Sequence, residues 1–466
     1  MEVILMTTRR DFLSAGTALI TALPVFHGNA HATQYEIDRS KERRDPGMKR
    51  VRDGLKFAQK GKKNSIPPVL REEILDNPRA VFVVRTNVAT QKHEDSKFPA
   101  EIEQFSLEGY HTARKIFQKG SAAGGTTYIK PNFVGGFHAG ERSLNNGIST
   151  HPSFVTGFCD ALKEMGNSNI VVGANGGAKH EHFADSGVCD MLDSRGVCFT
   201  EGKYESWSDY TRREVTWIKN PEGVVMRKIP VFSLTQEKDT TLINIAKDRI
   251  HQLGFTTLTI KNLQGIMPVG YMHICGGWPS TLNRGTVKRV FNPDYRKDIE
   301  KLYIKHAEMG YKYWDEGGYC KAYFSAGGYD AHMKKEFTAD YKTFWGEQWG
   351  QRMMDIASNI NPAVNIVEGI VGIDGKNDLH LNNFITISKS MVECDSVSSW
   401  LMGHDPRELP YLRIANERGM GENDIEKIDI FEISENGIAR LNDYRRLPRA
   451  RMGVNVYSDS PELRYF

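Results

Sequence analysis

Apolar positions along the chain alternate between two periods from about residue 67 onward. "AVFVVRTNV" is a β-branched run that predicts a strand, "FPAEIEQFSLEGYHTARKIFQKG" predicts a helix, and "TTYIKPNFV" predicts the next strand. In "HPSFVTGFCDALKEMG" the residues Phe154, Val155, Phe158, Cys159, Leu162 and Met165 fall on one helical stripe, which Gly166 closes. "NIVVGANGG" is extended again. Strand, helix and strand at this spacing predict βαβ units, hence an α/β fold with a mostly parallel central sheet and helices on both faces. "REVTWIKNPEGVVMRKIPVF" breaks the alternation and predicts an antiparallel hairpin around Asn220-Pro221-Glu222-Gly223. "TTLINIA" and "FTTLTIKN" predict two more core strands. "GQRMMDIASNI" then predicts a helix, "AVNIVEGIVGIDG" a strand and loop, and "NFITIS" a strand. "SMVECDSVSSWLMG" and "ELPYLRIANERGMG" predict two helices, and "IEKIDIFEI" a final strand.

Two segments fall outside this rhythm. Residues 33–66 are charged and broken by Gly and Pro, which predicts an arm over the surface with no assigned structure. Residues of about 270–350 are dense in Tyr, Phe and Trp and punctuated by Gly-Gly pairs, which predicts an aromatic-rich insertion in an α/β domain spanning 67–466. Such aromatics either stack on a ligand ring or fill a small core of their own.

The N-terminus changes the picture of destination. "TTRRDFLSAGTALITALPVFHGNAHA" places Arg9 and Arg10 ahead of Phe12 and Leu13, then an apolar stretch from Ala15 to Phe26 and a small-residue site at Ala30-His31-Ala32. This resembles a twin-arginine export signal over residues 1–32, with cleavage expected after Ala32. The apolar part is too short to span a bilayer comfortably, so no stable membrane anchor is expected. The resemblance implies the twin-arginine translocation machinery as a partner and a periplasmic or secreted destination. Substrates of that route cross folded, often with a cofactor already inserted.

Composition narrows the class. A chain of 466 residues, 39% hydrophobic and 26% charged, suits a globular protein with a sizeable core. Lys plus Arg total 61 against 58 for Asp plus Glu, without a long basic run, so no nucleic-acid partner is expected. The six cysteines form no Cys-x-x-Cys pair, which removes cluster and zinc-ribbon spacings and leaves buried thiols as the expectation.

Candidate chemistry follows from the sheet. In open parallel sheets ligands bind beyond the carboxyl ends of the strands. The predicted strands end in Lys130 and Asn132, in Asn175, Gly176 and Gly177, in Lys261 and Asn262, and in Glu368 and Asp374. His151, just before Pro152, falls at a helix N-terminus, where the dipole disfavours imidazolium and leaves a ring able to bind metal, exchange a proton or cap the helix. Two lysines and two amides in one crevice would hold a carboxylate or phosphate, unless the lysines face water. Glu368, Asp374 and Asp395 are candidates to ligate a divalent metal ion or to act as acid and base, and Asp395 is alternatively a buried structural carboxylate. His180 and His182, and His273 with Cys275, are weaker pairs with ligand-like spacing. "GSAAGGTT" lacks the phosphate-loop lysine, and no Gly-x-Ser-x-Gly or His-Glu-x-x-His occurs.

"IKPNFV", "THPSFVTGFCDALKEMGNSNIVVGANGG", "TLTIKNLQG", "NIVEGIVGIDG" and "ECDSVSSWLMGHDP…GMGE", in that order, resemble the bacterial and archaeal family called domain of unknown function 362. The resemblance covers roughly residues 126–422 and picks out Lys130, Asn132, His151, Lys261, Asn262 and Asp395, with the glycine-rich turn after Val172. It leads one to expect Asp at 368, where this chain has Glu. Family members often carry appended ferredoxin-like cysteine clusters, which this chain lacks. The expectation is an exported enzyme with a metal- or lysine-assisted polar site for a small anionic or sugar-derived substrate. Lys130, His151 and Lys261 would be catalytic, Asn132, Asn175, Gly176, Gly177 and Asn262 ligand-binding, and Glu368, Asp374 and Asp395 the metal set. The alternatives are a non-catalytic periplasmic ligand-binding protein, or a redox partner or maturation factor for an iron–sulfur protein.

Overall fold

β-Branched runs flanked by turn residues become strands here, and two of the longest, Thr240–His251 and Val364–Ile373, are buried on both faces. The computed structural model describes residues 46–89, 99–133, 147–174, 183–184, 186–201, 214–251, 254–268, 292–294, 339–375 and 378–453. The chain divides into two units, Met1–Asp45 and Pro46–Phe466. The first lies outside the described residues, and the expected export signal with it.

In chain order the elements are α1 (Pro46–Gly61), β1 (Val69–Leu70), α2 (Glu72–Leu75), β2 (Val81–Arg85), α3 (Pro99–Ile116), β3 (Phe117–Gln118) and β4 (Thr126–Pro131). There follow α4 (Pro152–Glu164), β5 (Ile170–Ala174), α5 (Val188–Asp193), β6 (Cys198–Glu201) and the antiparallel hairpin of β7 (Val215–Lys219) and β8 (Lys228–Phe232). The second half contains β9 (Thr240–His251), β10 (Phe255–Thr257), α6 (Thr259–Asn262), α7 (Ala339–Ala357), β11 (Val364–Ile373) and β12 (Leu379–Ser388). It closes with α8 (Met391–Leu401), α9 (Pro410–Glu417), β13 (Ile430–Ser434) and β14 (Gly437–Arg440).

The central sheet runs in the order β14-β13-β2-β12-β11-β9-β4-β5-β6, with β10 paired to β9. Parallel ladders join β13 to β2, β11 to β9, β9 to β4, β4 to β5 and β5 to β6, while β12, β14 and β10 run antiparallel to their neighbours. This is the mixed α/β, mostly parallel architecture expected from the alternating periods.

Two apolar layers cover the sheet. Ile129, Ile243, Ile245, Ile366 and Ile387 face Phe105 and Ile116 of α3 and Phe154, Phe158 and Leu162 of α4. The opposite face carries Tyr128, Leu242, Ala246 and Val367, packed under Met353 and Met354 of α7, Val397 of α8 and Tyr411 of α9. From β4 the chain crosses through α4 to β5 on one side, and from β9 it crosses on the other face, where α7 lies, to β11. The strand order therefore reverses between β4 and β9, and a crevice at their carboxyl ends is the ligand position such topology creates.

Three expectations change on contact with the structure. Part of the charged arm is helical: Val51, Leu55 and Ala58 of α1 fall on one face, and Ala58 is fully buried. "FTTLTIKN" is not one strand, since β10 ends at Thr257 and α6 begins at Thr259. The carboxylate of Asp395 accepts from the backbone N–H of Thr259 (2.8 Å) and of Ile260 (3.1 Å), groups that a strand would have given to a neighbouring strand. The end of the aromatic stretch belongs to α7, where Trp349 is buried against His251 and Tyr411. Most of residues 270–350 lies outside the described residues. Cys159, Cys189 and Cys394 are buried cysteines, as expected, and Cys198 is a half-buried one.

Candidate functional site

On the α7 face, Lys130 of β4, Asn244 of β9 and Asn365 of β11 occupy one row across three neighbouring strands. Asn244 donates to Asn365 Oδ1 at 2.9 Å and to Thr259 O at 2.9 Å. Asn262, at the end of α6, donates from Nδ2 to Asn244 Oδ1 (2.8 Å) and to the carbonyls of Lys130 (3.0 Å) and Ile245 (3.2 Å). Its own Oδ1 accepts from Lys130 Nζ at 3.1 Å, and Nζ also donates to the Pro131 carbonyl. Buried amides are satisfied in this way because an unpaired one would be costly. Lys130 is thus an almost fully buried ammonium whose bonds, among the described residues, go only to uncharged acceptors. Burial pushes its pKa down to about 7.

On the α4 face lies a second cluster. Lys247 of β9 is in register with Glu368 of β11, and Nζ donates to both carboxylate oxygens at 2.8 Å. Glu368 also accepts from the N–H of His151 (3.1 Å) and of Ile370 (3.1 Å), which saturates it. Past Glu368 the β11 register shifts, and at the shift Asp248 sits 3.5 Å from Lys247 Nζ and accepts from Asn382 Nδ2 at 2.7 Å. Burial pushes the Asp248 carboxyl up to about 7. His151 caps α4 through Nδ1, which accepts from Ser153 N–H at 3.1 Å, and its ring stacks on Phe105 at 3.9 Å. The segment before it is fastened to both strand ends: Thr150 Oγ1 donates to Ile245 O at 3.2 Å, and Asn132 N–H donates to the same carbonyl at 3.0 Å.

The sheet therefore gathers Lys130, Asn132, His151, Asn262 and Glu368 around the ends of β4, β9 and β11, from its two faces. Lys261 is half-buried, next in the chain to Asn262. Its charge bears on His251 which, mainly through burial and then through Lys261, Arg249 and Arg352, is held well below the usual imidazole range. Asp374 pairs with His380 Nε2 at 3.0 Å and accepts from Asp378 N–H at 2.9 Å. Asp395 caps α6 from the α7 face, and burial, opposed by its bonds to Thr259 and Ile260, raises its pKa to about 7. The expected metal set of Glu368, Asp374 and Asp395 is not brought together, and the oxygens of Glu368 and Asp395 are already engaged. Among the described residues no three His, Cys, Asp or Glu side chains gather to hold a metal ion. Asn175, Gly176, Gly177, His180, His182, His273 and Cys275 lie outside the described residues.

Lys247, Asp248, His380 and Asn382 were not singled out by the sequence. The signal was present: a Lys-Asp pair inside the apolar run "TTLINIAKDRIH" and a lone Glu inside "VNIVEGIVGI" are charges that a buried parallel sheet accepts only if they meet. No described helix is long and apolar enough to cross a membrane. No curated protein and no solved structure matches the chain significantly. The family described as Domain of unknown function (DUF362) matches residues 127–399, more than half of the chain and all three strands that carry the two clusters, and the chain belongs to that family.

Proposed function

We propose that this protein is an exported enzyme that uses Lys130 at the crevice between β4 and β9 to act on a small anionic or sugar-derived substrate. The observation that carries the reading is a buried lysine with no carboxylate partner among the described residues and a pKa lowered to about 7. A structural lysine this deep is normally neutralised by an acid, as Lys247 is by Glu368. Near neutral pH an unpaired one is shared between amine and ammonium, so it can accept a proton, add to a carbonyl, or hold an anion whose charge replaces the missing partner. The ladder of Asn262, Asn244 and Asn365 fixes where Nζ sits. The Arg9-Arg10 motif supports export by the twin-arginine route.

Thermal-shift titration with sugar acids, sugar phosphates and small dicarboxylates, on the wild type and on Lys130→Gln, tests the site. The reading expects at least one class to raise the melting temperature of the wild type and not of the variant. Equal shifts in both proteins would remove Lys130 from the site. A ligand that depends on Lys130 but is recovered unchanged after prolonged incubation would make the protein a binder rather than an enzyme.

A further inference from the structure

His151 is fixed in one tautomer. Its Nδ1 accepts the Ser153 N–H, so the ring proton of the neutral imidazole resides on Nε2. Burial, and then the nearby Lys247 ammonium, push its pKa down to about 3, so the ring stays neutral. His151 is only 1% exposed, and among the described residues Nε2 has no hydrogen-bond partner. The Ser153 hydroxyl, in the same first turn of α4, is likewise buried without a partner among the described residues. Buried donors are left unpaired rarely, and each calls for a water, an ion or a ligand oxygen to complete it. Phe105 holds the imidazole plane, its ring stacked at 3.9 Å and 13°. The N-terminus of a 13-residue helix adds a positive potential at the same place.

We infer that the Nε2–H of His151 is a prearranged donor to an anionic oxygen, carboxylate or phosphate, of the ligand bound at the β4–β9 crevice. The inference rests on the site proposed above. It replaces the roles of proton carrier and metal ligand, because the Nδ1 lone pair is already engaged and Nε2 has none to offer. The donor would act on the ligand from the α4 face, across the sheet from Lys130.

Selective 15N labelling of histidine tests this in the intact protein, with the His151 signals assigned by their loss in His151→Phe or, should that variant not fold, in His151→Gln. The expected result is a ring protonated at Nε2 and bare at Nδ1 from about pH 5 to about pH 8. Added acetate or inorganic phosphate should move the Nε2–H resonance saturably. A response to acetate alone assigns a carboxylate, and a response to phosphate alone assigns a phosphate. A ring that titrates within that range, a proton on Nδ1, or a resonance that neither anion moves would overturn the inference. If the Lys130-dependent thermal shift persists while His151 is unmoved, the inference fails and the proposed site stands.

Discussion

Lys247 and Glu368 face each other across β9 and β11 as a buried ion pair, with Nζ 2.8 Å from each carboxylate oxygen and neither side chain more than 1% exposed. Glu368 extends the pair to the backbone of His151, so the same carboxylate anchors the entrance to α4. Removing one partner strands the other charge in the core, and Glu368→Gln or Lys247→Met is expected to cost about 3–5 kcal/mol in urea unfolding. The double variant Lys247→Met/Glu368→Leu should lose much less than the two single losses combined. An additive double-mutant cycle would mean that the two side chains do not interact.

Lys130 sets a pH dependence of opposite sign to that of a lysine in an ordinary salt bridge. Its folded pKa of about 7 lies below the ordinary 10.5, so between those values the unfolded chain binds the extra proton and stability rises with pH. The rise should total on the order of a few kcal/mol and be absent from Lys130→Met, as read from urea midpoints measured across that window. Parallel curves for the two proteins would contradict the lowered pKa.

Asp395 holds the turn that interrupts "FTTLTIKN". In Asp395→Asn one acceptor oxygen becomes an NH2 group facing the N–H of Thr259 or Ile260, and a loss of about 1–3 kcal/mol is expected. The sign with pH is also fixed. The folded pKa is raised to about 7 from 3.8, so the stability held by the protonated carboxyl is present in acid and is lost as pH rises from about 4 to about 7. Asp395→Asn should flatten that fall, and an unchanged acid limb would count against it.

The stacking of Phe105 on His151 depends on a close helix crossing. A Cβ on Gly157 of α4 would lie 1.9 Å from the Ser106 carbonyl, and one on Gly109 of α3 would lie 2.0 Å from the Phe154 carbonyl. Gly157→Ala should therefore separate α3 from α4 and destabilise the protein by about 1–3 kcal/mol. The ring-current shift on the His151 resonances should fall at the same time. A variant with wild-type stability and an unshifted His151 would show that the helices do not pack this closely.

The fold was largely legible because its strands and helices advertise their periods. Phe154, Val155, Phe158 and Leu162 mark the buried stripe of α4, and the hairpin around Asn220 forms where its turn residues place it. The site was legible one strand at a time. Lys130, Asn262 and His151 could be picked out, but which face each would occupy depends on strand register and on where "FTTLTIKN" breaks. That break is set by Asp395, 136 positions downstream of Thr259, a distance that local pattern does not span. Lys247 and Glu368 were hidden for the same reason. Each looks like a misplaced charge until the β9–β11 register, 121 residues in separation, puts them opposite one another.

The central claim is that Lys130 is a reactive amine rather than a solvent-facing cation, and direct titration of its side-chain nitrogen tests it most simply. In protein labelled with 15N at lysine side chains, with the signal assigned by its loss in Lys130→Gln, the Nζ resonance is expected to titrate near pH 7 and to move when a ligand binds. A resonance that titrates at the ordinary lysine value near 10.5, unmoved by any ligand, would contradict the account.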